Sequence, residues 1–245
     1  MTMPKAITTI MAAGALALLA APAHADWELY DDFSDGIIDP ALWAVDDSSA
    51  NISEVGGVAR FVTLPNAFND SAWLKPIVDV ASIRGIRARV GIIDGCVGDV
   101  RGRLGAYVGV TGDGSFNWGQ IGLRTKLALG EPAEHLVQIG LSLDSGPPDY
   151  QFLHDELWAQ APGWGDTIVT NEWITLTMKY DDAGLTVFSS TKQPGASGKS
   201  HSPPLTPMPG GEEFAGIGTR TREYSGGAAG NCTVGFDDVE VFRVP

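Results

Sequence analysis

The sequence predicts an all-β protein built as a two-sheet antiparallel sandwich, and three observations carry that expectation. Glycine (31 residues) and proline (15 residues) are abundant, so turns are frequent. Aromatic residues are spread along the chain, and no long stretch shows helical periodicity. Apolar and polar residues instead alternate with a period of two in segment after segment. Such strands each have one apolar face, and two packed sheets bury all of those faces at once.

Residues 1–25 read as a secretory signal peptide. Lys5 opens it, a small apolar run from Ala6 to Ala21 follows, and Ala23-His24-Ala25 offers a small-x-small cleavage pattern. That run is short and alanine-rich for a membrane span, and no second one follows. The expectation is therefore a secreted or periplasmic protein without membrane insertion, whose residues 26–245 form a single β-sandwich domain. The whole chain carries a net charge of −14, and the expected mature part is one unit more negative because Lys5 is the only charge lost. So acidic a surface argues against nucleic acid as a partner, since phosphates would be repelled.

Strands are expected at Trp27–Phe33, Gly57–Leu64, Ile86–Ile93, Leu104–Val110, Gly119–Leu127, Val137–Leu143, Glu172–Tyr180, Phe214–Arg222 and Thr233–Phe242. The clearest is Glu172–Tyr180, where Ile174, Leu176, Met178 and Tyr180 alternate with Thr175, Thr177 and Lys179. Asp181-Asp182-Ala183-Gly184 then turns the chain, and Leu185–Phe188 returns as the second arm of a hairpin. One helical turn is expected at Asp39–Trp43, with Asp39 as N-cap and Pro40 at the first position. Lys192–Gly211 reads as a loop. In the closing segment Val234 and Phe236 share one phase, whereas Val239 and Val241 share the other. That slip places a β-bulge at Asp237-Asp238. Cys96 and Cys232 are the two cysteines, and an oxidising compartment would join them. The bridge would be worth about 5 kcal/mol in the chain-entropy model.

The opening Trp27-Glu28-Leu29-Tyr30-Asp31-Asp32-Phe33-Ser34-Asp35-Gly36, with the following Asp39-Pro40-Ala41-Leu42-Trp43, resembles the start of concanavalin A-like lectin/glucanase (laminin-G-like) jelly rolls. The hairpin at Trp173–Phe188 and the ending Val234–Val241 are similar to strands of the same superfamily. The resemblance implies a jelly roll and specifies no activity, because that fold carries lectins, hydrolases, lyases and adhesion modules. It also implies first and last strands that lie close and share a structural Ca²⁺, for which Asp32, Asp237 and Asp238 are the candidate oxygen ligands. The alternative is an acidic bulge that protects an edge strand.

Glycanases of this superfamily commonly carry Glu-x-Asp on one strand, which projects alternate carboxylates into a cleft. Here no Glu is followed two residues later by Asp. Asp155 and Glu156 are adjacent, and on a strand they would face opposite ways. Alginate-type lyases of jelly-roll fold carry Gln-x-His; Gln138-Ile139-Gly140 has glycine in the histidine position. Gly-x-Ser-x-Gly and His-Glu-x-x-His are also absent.

The most site-like stretch is Asp144–Asp166, with Tyr150, His154, Asp155, Glu156, Trp158 and Trp164 among turn formers. Aromatic platforms beside carboxylates suit the apolar faces and hydroxyl rims of sugars, and Trp118 could add a second platform. Arg84, Arg87, Arg89, Arg101 and Arg103 either line a groove for acidic polysaccharide or sit on solvated strand faces paired with acids. The leading expectation is a module that binds a polysaccharide or other glycoconjugate. The competing classes are a glycoside hydrolase or polysaccharide lyase using Asp155, Glu156 and His154, and a structural protein of the cell envelope or matrix.

Overall fold

In a computed structural model, the described residues are 26–47, 50–64, 71–78, 83–94, 99–109, 116–126, 134–144, 150–151, 170–180, 186–191, 199–201, 212–222 and 232–243. They form two antiparallel sheets and no long helix. The strands are β1 (Asp26–Asp31), β2 (Trp43–Asp46), β3 (Ala50–Glu54), β4 (Ala59–Thr63), β5 (Ser71–Pro76), β6 (Ile83–Asp94), β7 (Asp99–Gly109) and β8 (Phe116–Lys126). They continue as β9 (Glu134–Asp144), β10 (Tyr150–Gln151), β11 (Trp173–Tyr180), β12 (Thr186–Thr191), β13 (Lys199–His201), β14 (Glu212–Arg222) and β15 (Thr233–Arg243).

The first sheet runs β13-β12-β11-β6-β15-β4-β3, with β1 also paired to β15. The second runs β10-β9-β8-β7-β14-β5-β2. Antiparallel pairing throughout leaves each strand an inner apolar face. From the first sheet Ile86, Ala88, Val90, Leu176, Phe61, Phe236 and Val241 enter the core, each fully buried. The second sheet supplies Leu74, Ile121, Leu123 and Ile217, also fully buried. The rings of Phe61 and Phe236 meet edge to face at 5.1 Å, an arrangement aromatic quadrupoles favour.

The expected bulge is present. The pairing of β15 with β6 shifts register between Asp237 and Glu240, and Asp238 takes a positive φ of 47°. The extra residue lets Val234 and Phe236 before it, and Val239 and Val241 after it, all point into the core. The helical turn is also as expected. The amides of Leu42 and Trp43 donate to the Asp39 carbonyl at 3.0 and 2.9 Å, and Ala41 N–H donates to Asp39 Oδ1 at 2.8 Å. Trp43 then stacks on Phe33 and donates its indole N–H to Asp31 Oδ2 at 2.6 Å. This anchors the β1–β2 connection.

The hairpin reads as expected, with Trp173–Tyr180 paired antiparallel to Thr186–Thr191. Within the segment expected as a loop, Lys199–His201 pairs with β12 and extends the sheet edge. Backbone pairing to an open edge needs no apolar alternation, so composition alone did not reveal it.

Candidate functional site

Where the cations stand depends on which sheet carries them. On the outer face of the first sheet, Arg87 makes a two-pronged ion pair with Glu240, its Nε lying 2.8 Å from Oε1. Its guanidinium also lies 4.5 Å from the ring centre of Trp27. Arg89 donates to Asp237 at 2.8 Å and to Asp238 at 3.4 Å, and sits 5.5 Å from the Trp173 ring. Lys179 Nζ lies 3.8 Å over Phe242. Tight packing permits this: Trp27 lies over Gly85, and Trp173 lies over Gly91 and Gly235, where a Cβ would collide with the rings. Arg87 and Arg89 are therefore structural side chains, each held by a carboxylate and an aromatic face.

The outer face of the second sheet differs. Ile121, Leu123, Ile217 and Thr219 are buried on the inner side, so alternation puts the intervening positions on the outer face. Register then assembles rows across the strands. Phe214, Tyr107 and Trp118 are directly paired on β14, β7 and β8. The next row is Gly216–Gly105–Gln120–Gly140, and after it Gly218–Arg103–Gly122–Gln138. The fourth row is Arg220–Arg101–Arg124. By register the face thus runs from an aromatic row, across two rows in which glycines predominate, to an arginine row. Six residues separate the end rows, about 20 Å of strand. Trp73, on β5 beside Gly218, covers part of these glycine rows: a Cβ on Gly218 would stand 2.6 Å from its ring. Trp73 is only 4% exposed, although it stands outside the main apolar cluster.

Of the residues singled out in the sequence, Trp118 falls in the aromatic row. Tyr150 pairs with Asp144 on the edge strand β10, on the same face. His154, Asp155, Glu156, Trp158 and Trp164 lie outside the described residues. Phe214 and Tyr107 were not singled out; the signal available was their two-residue spacing from glycines on strongly alternating strands. Arg101 and Arg103 part company with Arg87 and Arg89, since the chain changes sheets between β6 and β7.

Asp237 and Asp238 stand at the bulge, engaged by Arg89. Asp32 Oδ1 accepts the Ser34 amide at 3.1 Å, and hydrogen bonding from the Ser34 hydroxyl, with that amide second, holds its pKa below the ordinary value. Burial pushes the Asp237 carboxyl up, and the negative charges of Asp238 and, more weakly, Asp32 add to the rise, while Arg89 opposes it. Register sets Asp31 opposite Val239, so Asp32 follows β1 where β15 leaves the bulge. Among the described residues, however, no group of three acidic, histidine or cysteine side chains is arranged to hold a metal ion. Cys232 is fully buried next to β4: its amide donates to Thr63 Oγ1 at 2.9 Å and its carbonyl accepts from the Thr63 amide at 2.9 Å. Cys96 lies outside the described residues. It follows Asp94 by two positions, and Asp94 pairs with Thr233.

No family model matches the chain, and no curated protein matches it. Solved structures do. A winged bean acidic lectin, solved with methyl-α-D-galactose, aligns with a TM-score of 0.53 at 10% identity, covering 90% of this chain and 100% of the lectin. The κ-carrageenase of Pseudoalteromonas carrageenovora, solved with an oligotetrasaccharide of κ-carrageenan, aligns at 0.53 with 11% identity, covering 93% and 99%. A Bacillus licheniformis β-glucanase aligns at 0.50 with 11% identity, covering 90% and 98%. Such low identity bears on architecture alone. The chain has the concanavalin A-like jelly-roll fold.

Proposed function

We infer that this protein is an exported glycan-binding module whose ligand lies along the outer face of the second sheet. The observation that carries the reading is the row Phe214–Tyr107–Trp118, three aromatic residues in direct register on adjacent strands. Aromatic residues beside a floor of glycines and glutamine amides offer both stacking for sugar C–H faces and hydrogen bonds for hydroxyls. The lectin and the κ-carrageenase that share the fold were both solved with sugars, which supports the same ligand class here.

Binding is favoured over hydrolysis by the acids. On β7, β8, β9 and β14, no carboxylate occupies an outer-face position from the aromatic row to the arginine row. The acids on this face, Asp46, Asp99, Glu134, Asp144 and Glu212, stand at strand ends. A pair of carboxylates spaced for glycosidic cleavage is thus not assembled by these strands. Lyase chemistry keeps one observation in its favour, since Tyr107 and Gln138 share the face.

Purified residues 26–245 incubated with a panel of neutral and acidic polysaccharides test the reading, with bound protein and new chain ends measured in each tube. Bound protein without new ends is expected, and Trp118→Ala should weaken binding at least tenfold. New ends would establish an enzyme, and silence in both channels would turn the assignment to a structural role.

Two structural features belong to this proposal. A disulfide between Cys96 and Cys232 is supported by the two-residue step from Asp94, the partner of Thr233, and mass analysis before and after reduction tests it. A structural Ca²⁺ near Asp32, Asp237 and Asp238 is supported by register, which sets Asp31 opposite Val239 at the edge of the bulge. Chelation should lower the melting temperature; an unchanged melt would remove the ion.

A further inference from the structure

We propose that the Arg220–Arg101–Arg124 row selects a polyanionic glycan, one bearing carboxylate or sulfate groups. The proposal rests on the glycan-binding reading above and adds the ligand's charge to it.

The argument starts from what is unusual about the row. Arg101 is registered directly opposite Arg124 on one side and Arg220 on the other. Directly opposed like charges destabilise a sheet. The chain has 30 acidic residues against 16 lysines and arginines, so an acid could have been placed beside each cation. The first sheet does so, opposing Arg87 with Glu240 and Arg89 with Asp237. In the second sheet the row itself continues to Leu136 on one flank and Ser71 on the other, and the acids nearest in register, Asp99 opposite Arg222 and Glu134 opposite Lys126, stand one row farther out. Arg103 stands in the next row. Four cations of an acidic protein thus share one stretch of one face. Across the row, Arg124 and Arg220 are two strand spacings apart, about 10 Å.

Guanidinium groups are planar forks that match carboxylate and sulfate oxygens. An extended polymer with repeated negative groups can meet several of them at once, while its sugar faces stack on the aromatic row. The overall negative charge of the protein repels polyanions elsewhere, so recognition is confined to this face.

The test measures binding of polygalacturonate (carboxylate), dextran sulfate (sulfate) and laminarin (neutral) to residues 26–245, each at about 50 and about 300 mM NaCl. One or both polyanions should bind at least tenfold more tightly than laminarin, and the polyanion affinity should fall with salt. The two charged polymers distinguish a carboxylate from a sulfate ligand. Arg101→Gln and Arg124→Gln should each weaken polyanion binding about tenfold and leave any laminarin binding unchanged. Equal, salt-independent binding of all three polymers would overturn the charge selection and leave the glycan reading standing. Binding of single-stranded DNA as tight as that of the best glycan would replace the glycan with any polyanion and overturn the proposal. Failure of every polymer to bind at low salt would overturn both readings. The salt dependence is read on the unaltered protein, so it decides the matter even where a variant folds poorly.

Discussion

The outer faces of the two sheets use the same residue types in opposite ways. On the first sheet Arg87 and Arg89 each have a carboxylate and an indole ring. On the second sheet three arginines are registered against one another, and the aromatic residues are registered against one another in a separate row. Mixed rows satisfy themselves; the segregated rows are the ones to which the proposals above assign a ligand. A residue's role here is thus set by its cross-strand neighbour rather than by its own type.

The largest expected effect tests the glycines beneath these faces. In Gly218→Val on the second sheet, the new Cβ would stand 2.2 Å from the Ala72 carbonyl oxygen, which is backbone and cannot swing aside. About 3 kcal/mol of stability should be lost. In Gly235→Val on the first sheet, the nearest atoms are side-chain tips of Trp173, Ile93 and Val58 at 2.6–2.9 Å. Those can shift, so about 2 kcal/mol should be lost. Urea unfolding of both variants checks the order, and the reverse order would show that the second sheet yields more readily.

A smaller effect separates the arginines. Arg89→Ala should cost about 1 kcal/mol, because Asp237, whose side chain is 18% exposed, loses its partner; exposure of the arginine itself limits the loss. Ligand binding should be unchanged. Arg101→Gln should do the converse, leaving stability equal or raising it by about 0.5 kcal/mol as like-charge repulsion is relieved. Equal destabilisation by both variants would erase the distinction between the faces.

The smallest effect lies apart from both faces. Glu54 is 9% exposed and accepts the Gly36 amide. Burial, with the charges of Asp35 and Asp31, raises its pKa against the bond from Gly36. A raised folded pKa means that its contribution to stability is fully present below the unfolded value and is lost as pH rises through the folded value. Glu54→Gln should therefore stabilise the protein at neutral pH by about 1 kcal/mol, with the gain vanishing in acid. Melting curves at both pH values check the sign.

Much of this architecture was legible in the sequence. Alternation located β4, β6–β9, β11, β12, β14 and β15, and the phase slip at Asp237-Asp238 located the bulge. It did not locate β2, β3 or β5. Trp43–Asp46 has only four residues, Ala50–Glu54 ends its inner side on a glutamate, and Ser71–Pro76 buries the tryptophan of its outer face. The site was less legible. Trp118 and the abundance of arginine were visible, but Arg101, Arg124 and Arg220 are far apart in the chain. Only cross-strand register makes them neighbours, and register follows from the order of strands in the sheet.

The position of β15 bears on when this protein can fold. One side of that strand pairs with β6; the other pairs with β4 over Thr233–Phe236 and with β1 over Val239–Arg243. The middle of the first sheet consequently remains open until residues 233–243 have been synthesised, and among the described residues its first strand has no other sheet partner. Such distant pairings make folding slow. Under the export proposed above, a late keystone strand would keep the nascent polypeptide loose until the whole of it is available.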